Sequence, residues 1–353
     1  MKCPKCGYEN NEGAGYCNLC YEPLAGKERG SAGTPVSVHA KTEIQPVPAE
    51  KPRKSGITAA LVRVAVYSLL ALAALLAVKH TMKYRWSGYT SKISRDIFTV
   101  YSDLPEYKIR QYLGVCALFK DYFNSNVLPV RKGRIRIYLF GTSAAYIRYC
   151  SKINYHGSPY GFYSKDLKLL TVNHETGTGT MLHELTHFFM DAGGYLVPLW
   201  MEEGVATYFE KFVAFYENED NRLLSVGYFS PWRFGETQLL RKKGLARFDK
   251  LPDYQSLDRA FMMYVAENGG ISRFLRTYLK TRDDTEAVRE FFGEDPRTVQ
   301  QNWVQWIDAQ HYNRNINFLE ASRIFETRKA METYMSARNA YWDSTRNLYR
   351  LDN

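Results

Sequence analysis

The apolar and polar positions of this chain fall into segments of different period. Residues 57–78, ITAALVRVAVYSLLALAALLAV, are almost unbroken apolar. As a helix they would rise about 33 Å, enough to cross roughly 30 Å of hydrocarbon. Lys51, Arg53 and Lys54 precede them and Lys79, Lys83 and Arg85 follow, the basic flanks of a membrane span. The pattern predicts a transmembrane helix over 57–78, with Arg63 snorkelling toward the headgroups. Beyond it, helical periods cover 88–102 and 107–124, and Ile135, Ile137 and Leu139 alternate along a strand from Arg134 to Phe140. A helix is expected over 142–151, strands over Pro159–Tyr163 and Leu167–Val172, and helices over 178–192 and 198–216. The remainder reads as helical, with a stop at Gly269-Gly270 and a helical tail over 313–353. Residues 26–56, rich in Gly, Pro, Ala, Ser and Lys and without apolar period, read as a flexible linker.

Ahead of that linker stand Cys3-Pro-Lys-Cys6 and Cys17-Asn-Leu-Cys20. Each CxxC turn offers two thiolates, and two such turns complete a tetrahedral four-thiolate site for a structural zinc. Residues 1–25 are too few for a core, so the metal would supply the folding energy. Residues 1–25 thus resemble the minimal zinc ribbons at the N-termini of many prokaryotic proteins. Such thiols need a reducing compartment, which puts the N-terminus in the cytoplasm and residues 86–353 outside the membrane. Two cysteines remain, Cys116 and Cys150. They are open to pairing in an extracytoplasmic domain, or to burial as small hydrophobes.

The aromatic residues, 27 tyrosines and 19 phenylalanines, gather beyond residue 85, so the main core belongs there. Net charge is +10, but it is dispersed. It flanks the apolar run and interleaves with acids elsewhere, which argues against a nucleic-acid footprint.

The chemistry concentrates in His183-Glu184-Leu185-Thr186-His187. Residues four apart share a helix face, so both imidazoles can bind one ion. Glu184 points into the same cleft, where it can take a proton from zinc-bound water and pass it to a leaving amine. Two histidines leave the site one ligand short. The HExxHxxGxxH alternative fails, because position 190 is Met and position 193 is Gly. Asp191, one turn on, is a carboxylate candidate. Glu203, within Trp200-Met-Glu202-Glu203-Gly204-Val-Ala-Thr207-Tyr208, is the stronger one.

HELTH followed by WMEEGVATY resembles the gluzincin clan of zinc metallopeptidases, and its surroundings are most similar to the peptidase-MA-like family. The resemblance covers roughly 134–310. It implies an α+β, zincin-like domain over 86–312, with a small sheet, the HExxH helix and a mainly helical C-terminal part. It assigns the third ligand to Glu203, leaving Glu202, about 100° around the helix, to point elsewhere. The fifteen residues between His187 and Glu203 are fewer than in aminopeptidase-type members, which speaks against an aminopeptidase specificity. By analogy Thr207 stands where the clan places a residue orienting the first histidine, or it simply packs. Tyr254 is the matching candidate for steadying the oxyanion, again beside a packing role. Gly161-Phe162-Tyr163 and Leu169-Leu170-Thr171-Val172 resemble the strands before the metal helix, the first able to hold an extended peptide at a sheet edge. Phe291-Phe292-Gly293 and Trp303 to Trp306 resemble the closing helices.

These readings converge on a single-pass membrane metallopeptidase with one catalytic and one structural zinc. It would act on a peptide or protein substrate, and a cytoplasmic partner is open to the ribbon. The alternative is a non-catalytic membrane sensor or scaffold, against which the intact Glu184 argues. His80, His156, His174, His311 and the run Arg241-Lys242-Lys243 are read as surface or structural residues. Tyr228, Phe229 and Trp232 either cover the core or line a substrate cleft.

Overall fold

A computed structural model of the chain describes residues 56–131, 133–226, 234–310, 322–345 and 348–351. The ribbon cysteines Cys3, Cys6, Cys17 and Cys20, the linker up to residue 55, Tyr228, Phe229, Trp232 and His311 lie outside the described residues. The chain divides into two compact units, Met1–Arg85 and Trp86–Asn353.

In the first unit, helix α1 runs Gly56–Lys83. Among the described residues, no helix is long and apolar enough to cross a membrane. This overturns the transmembrane helix expected over 57–78, and with it the single-pass membrane location and the sidedness built on it.

The second unit is α+β. Strands β1 (Ser91–Arg95) and β2 (Phe98–Ser102) precede helix α2 (Glu106–Asn126), strand β3 (Ile135–Phe140) and helix α3 (Ser143–Ile153). Strands β4 (Gly161–Ser164) and β5 (Leu169–Asn173) lead into helices α4 (Thr180–Gly193) and α5 (Leu199–Glu210). The five strands form one sheet in the order β1-β2-β3-β5-β4. β2, β3 and β5 run parallel, while β1 and β4 are antiparallel edges.

The β1–β2 hairpin replaces the helix expected over 88–102. Phe98, Val100 and Ser102 are buried while Thr99 and Tyr101 are half-buried, a period of two. Asp96 takes the left-handed conformation at the turn (φ 53°). β2 then docks on β3 with Val100 opposite Ile137. β-branched residues pairing across a sheet outweigh a weak local helical period.

Strands β6 (Phe212–Tyr216) and β7 (Arg222–Val226) follow, then α6 (Phe234–Lys242), a 3-10 turn (Phe248–Asp253), α7 (Gln255–Glu267), α8 (Ile271–Thr281), α9 (Asp284–Phe292) and α10 (Pro296–Ala309). The helix expected over 198–216 therefore stops at Glu210. Every residue of Phe212–Tyr216 is buried, so a β-branched and aromatic run is covered on both faces and pairs as a strand. The tail expected to be helical holds β8 (Arg323–Phe325), α11 (Arg328–Ser336), β9 (Ala340–Asp343) and β10 (Leu348–Leu351). β8 joins β6 in parallel, and β9 and β10 form a hairpin.

The core lies under α2, α4 and α5. Phe119 and Phe123 of α2 meet Phe189 of α4 at ring separations of 5.7 and 5.2 Å, and Phe119 meets Phe209 of α5 at 5.3 Å. Edge-to-face and tilted aromatic contacts of this kind fix helices relative to one another. Cys116 and Cys150 are buried and free, so the pairing left open does not form. Burial raises both thiols above the ordinary cysteine value.

Candidate metal centre

α4 carries its ligands on one stripe and its packing on another. Met181, Leu182, Leu185 and Phe189 are buried, while His183 and His187 keep about a seventh of their side-chain surface open. α5 crosses in front of α4. Its start is held by Trp200, whose indole Nε1 donates to Asp284 Oδ2 of α9 at 3.1 Å. Its middle is held by α7 at Gly204, where a Cβ would sit 2.8 Å from Met262 Cγ and 3.0 Å from the Asp258 carbonyl oxygen. The glycine directly after Glu203 thus lets the two helices close to backbone contact.

That crossing brings His183, His187 and Glu203 together. Among the described residues they form the group of donors able to hold a metal ion. The two Nε2 atoms are 3.2 Å apart, and Glu203 places Oε2 3.5 Å from His183 Nε2 and Oε1 3.5 Å from His187 Nε2. Tetrahedral coordination at about 2.0–2.1 Å from each donor requires donor separations of about 3.3–3.4 Å. These spacings are close to that value, with the carboxylate set across both imidazoles, and the two-imidazole, one-carboxylate set is that of an open catalytic site.

The outer ring nitrogens are served by α5 as well. His187 Nδ1 lies 2.8 Å from Glu202 Oε1, and His183 Nδ1 lies 3.6 Å from Glu210 Oε2. Such carboxylates fix tautomer and ring orientation. Glu202 does point away from the metal position, as its helical offset requires, but it turns to the back of the second histidine. Glu210, seven residues after Glu203, shares its face of the helix. Glu203 itself accepts from Gln255 Nε2 at 3.1 Å.

Thr207 does not take the orienting role. Its hydroxyl donates to the carbonyls of Glu203 (2.6 Å) and Gly204 (3.1 Å) of its own helix. Tyr254 links the 3-10 turn to α7 and packs against the core. Among the described residues no contact joins its side chain to the triad. Asp191 is likewise engaged elsewhere, by Tyr163, Lys165 and Lys168. His174 binds the Tyr112 hydroxyl at 2.7 Å and stays structural.

Electrostatically the cluster is built for positive charge. Burial disfavours a charged His183, but Glu203 and Glu210 outweigh it and hold the imidazole well above the ordinary histidine value. Burial works against His187 too, and the Glu203 and Glu202 carboxylates lift it. Glu203 is opposed by its own burial, yet the two imidazoles keep it well below the usual carboxylate range. Glu184 is raised, chiefly by burial, against the pull of both histidines and of the Tyr163 backbone N–H. On α7, burial and then the Glu203 charge push Asp258 up to about 9, so near neutrality it adds no second charge beside the ligand.

No protein family and no curated protein matches the chain.

Proposed function

We propose that the unit Trp86–Asn353 is a zinc-dependent peptidase of gluzincin type. The observation that carries the reading is the donor triangle of His183, His187 and Glu203, with Glu184 next to the first ligand on the same helix. When bound there, a zinc ion supplies Lewis-acid polarisation of a carbonyl and a water of lowered pKa. Glu184 is the proton carrier. Its raised pKa suits a group that takes a proton from the attacking water at its carboxylate and returns it to the departing amine nitrogen. Glu202 holds His187 in the tautomer that leaves Nε2 free to bind, and Glu210 places a negative charge 3.6 Å from His183 Nδ1.

Strand β4 supports a peptide substrate. It is an edge strand. Tyr160 O accepts from Asn173 N, and Phe162 pairs with Thr171 of β5, its N–H also donating to the Thr171 hydroxyl at 3.1 Å. Alternation along an antiparallel ladder then turns the backbone groups of Gly161 and Tyr163 away from β5, where the Tyr163 N–H meets the Glu184 carboxylate and the carbonyls face the outer edge. An extended peptide adds to such an edge by main-chain hydrogen bonds, beside the helix that carries Glu184.

The test uses the full chain and a peptide library. Glu184→Gln should retain zinc at wild-type affinity and lose about 10²–10⁴-fold in hydrolysis. Glu203→Ala should lose the metal of this unit. A Glu184→Gln protein as active as the wild type refutes the mechanism.

A further inference from the structure

Thr180, Glu184, Phe188 and Asp191 recur along α4 at helical spacing and form one stripe. Each member meets β4 or the turn that follows it. At the first end, a Cβ on Gly161 would lie 2.8 Å from Thr180 Cγ2 and collide with the Thr171 carbonyl oxygen, so only glycine lets strand and helix approach there. Next, the Tyr163 backbone N–H meets the Glu184 carboxylate. The Tyr163 ring packs edge-on against Phe188 with centroids 5.9 Å apart. At the far end, Asp191 accepts from Tyr163 Oη at 2.8 Å and pairs with Lys165 Nζ at 2.7 Å and with Lys168 Nζ. Both lysines sit in the β4–β5 turn, where Lys168 takes a left-handed backbone (φ 45°).

β4 is four residues long and has one sheet neighbour, β5. Short edge strands are the least firmly held part of a sheet. Lys165 and Lys168 are about half or more exposed, and exposed ion pairs contribute little by themselves. The Asp191 side chain is only 10% exposed, however, and receives a phenol and two ammonium groups at once. A nearly buried carboxylate with three charge-assisted or hydroxyl donors is a firm anchor.

We propose that Asp191 is a positioning residue, locking β4 in register with the stripe of α4 that carries Glu184 so that a bound substrate strand is aligned with the proton carrier. The proposal rests on the reading of β4 as the peptide-binding edge. It makes no use of Asp191 as a metal ligand.

The experiment compares wild type, Asp191→Asn and the double variant Lys165→Met/Lys168→Met. It reads amide hydrogen exchange, zinc affinity and peptide kinetics. Both variants should exchange the Gly161–Ser164 amides about tenfold faster, with β3 and α4 unchanged. Zinc affinity should stay within twofold, and KM should rise about tenfold while kcat changes less than threefold. A merely structural residue would loosen β3 and α4 as well, and that result overturns the proposal. So does unaltered exchange over Gly161–Ser164 in both variants, or a fall in zinc affinity that accompanies faster exchange. A wild type that cleaves no peptide, with β4 still loosened in the variants, removes the peptidase reading and leaves the strand lock standing.

Discussion

The contact between α5 and α7 at Gly204 sets the position of the third ligand, and Gly204→Ala measures it. The added Cβ starts 2.8 Å from Met262 Cγ and 3.0 Å from the Asp258 carbonyl oxygen. Met262 can turn aside, but the carbonyl is main chain and stays. Relieving it takes a few tenths of an ångström of helix separation, since ordinary contacts settle near 3.5 Å. Added to the 3.1 Å between Gln255 Nε2 and Glu203 Oε2, that shift carries the bond to the limit of hydrogen-bonding distance. Overpacking costs about 1–3 kcal/mol, while alanine regains about 1 kcal/mol over glycine in a helix. The net loss of stability is therefore small, about 0–2 kcal/mol. Metal affinity is the sharper readout, because losing a group that orients a ligand typically costs 10–100-fold. Competition of the protein with a chromophoric chelator for zinc should give about tenfold weaker binding. Adding Met262→Ala should not restore it, because the carbonyl remains. Zinc binding within twofold of wild type, with an unchanged melting temperature, would refute this account.

Glu202→Ala removes the acceptor from His187 Nδ1 and should weaken zinc binding about 10–100-fold, read in the same competition assay. Thr207→Val should leave that affinity within twofold, since its hydroxyl serves only helix carbonyls; a large loss would return Thr207 to the orienting role. Burial works against the Asp191 charge, but Lys165, Lys168 and Tyr163 outweigh it and bring its pKa from the ordinary 3.8 to about 2. A depressed folded value means the stabilisation is complete above about pH 4 and vanishes as the pH falls through about 2. Urea denaturation of wild type and Asp191→Asn should therefore differ at pH 5 and converge toward pH 2; a constant gap would contradict the linkage.

The meeting of His183, His187 and Glu203 was legible because much of its geometry is local. Four residues along a helix place two imidazoles on one face whatever the rest of the chain does, and the Glu203-Gly204 pair marks where a second helix can press close. The orienting carboxylates were not legible, because they depend on how α5 crosses α4. That Glu202 turns away from the metal position could be read from the helical offset, but not where it goes, and Thr207 was left between orienting the first histidine and packing. The crossing brings Glu202 and Glu210 toward the outer ring nitrogens of His187 and His183. Asp191 reads from the sequence only as a ligand candidate second to Glu203, until the β4–β5 turn delivers two lysines to it. The first hairpin was missed because the local period of 88–102 suits a helix and only pairing with β3 decides otherwise. The apolar run over 57–78 was overvalued, since among the described residues no helix is both long and apolar enough to cross a membrane.

Ser322 accepts from the Phe212 N–H at 3.0 Å and donates to the Glu210 carbonyl, so the junction at the end of α5 is closed by a residue made more than a hundred positions later. At about 5–20 residues per second, that interval amounts to roughly 6–20 s of synthesis in which every donor to the metal already exists but the segment behind Glu210 is unsealed. Final tightening of the centre therefore falls late in the life of the nascent chain. A truncation before residue 322 would be a protein with all its metal donors and an unfastened back wall.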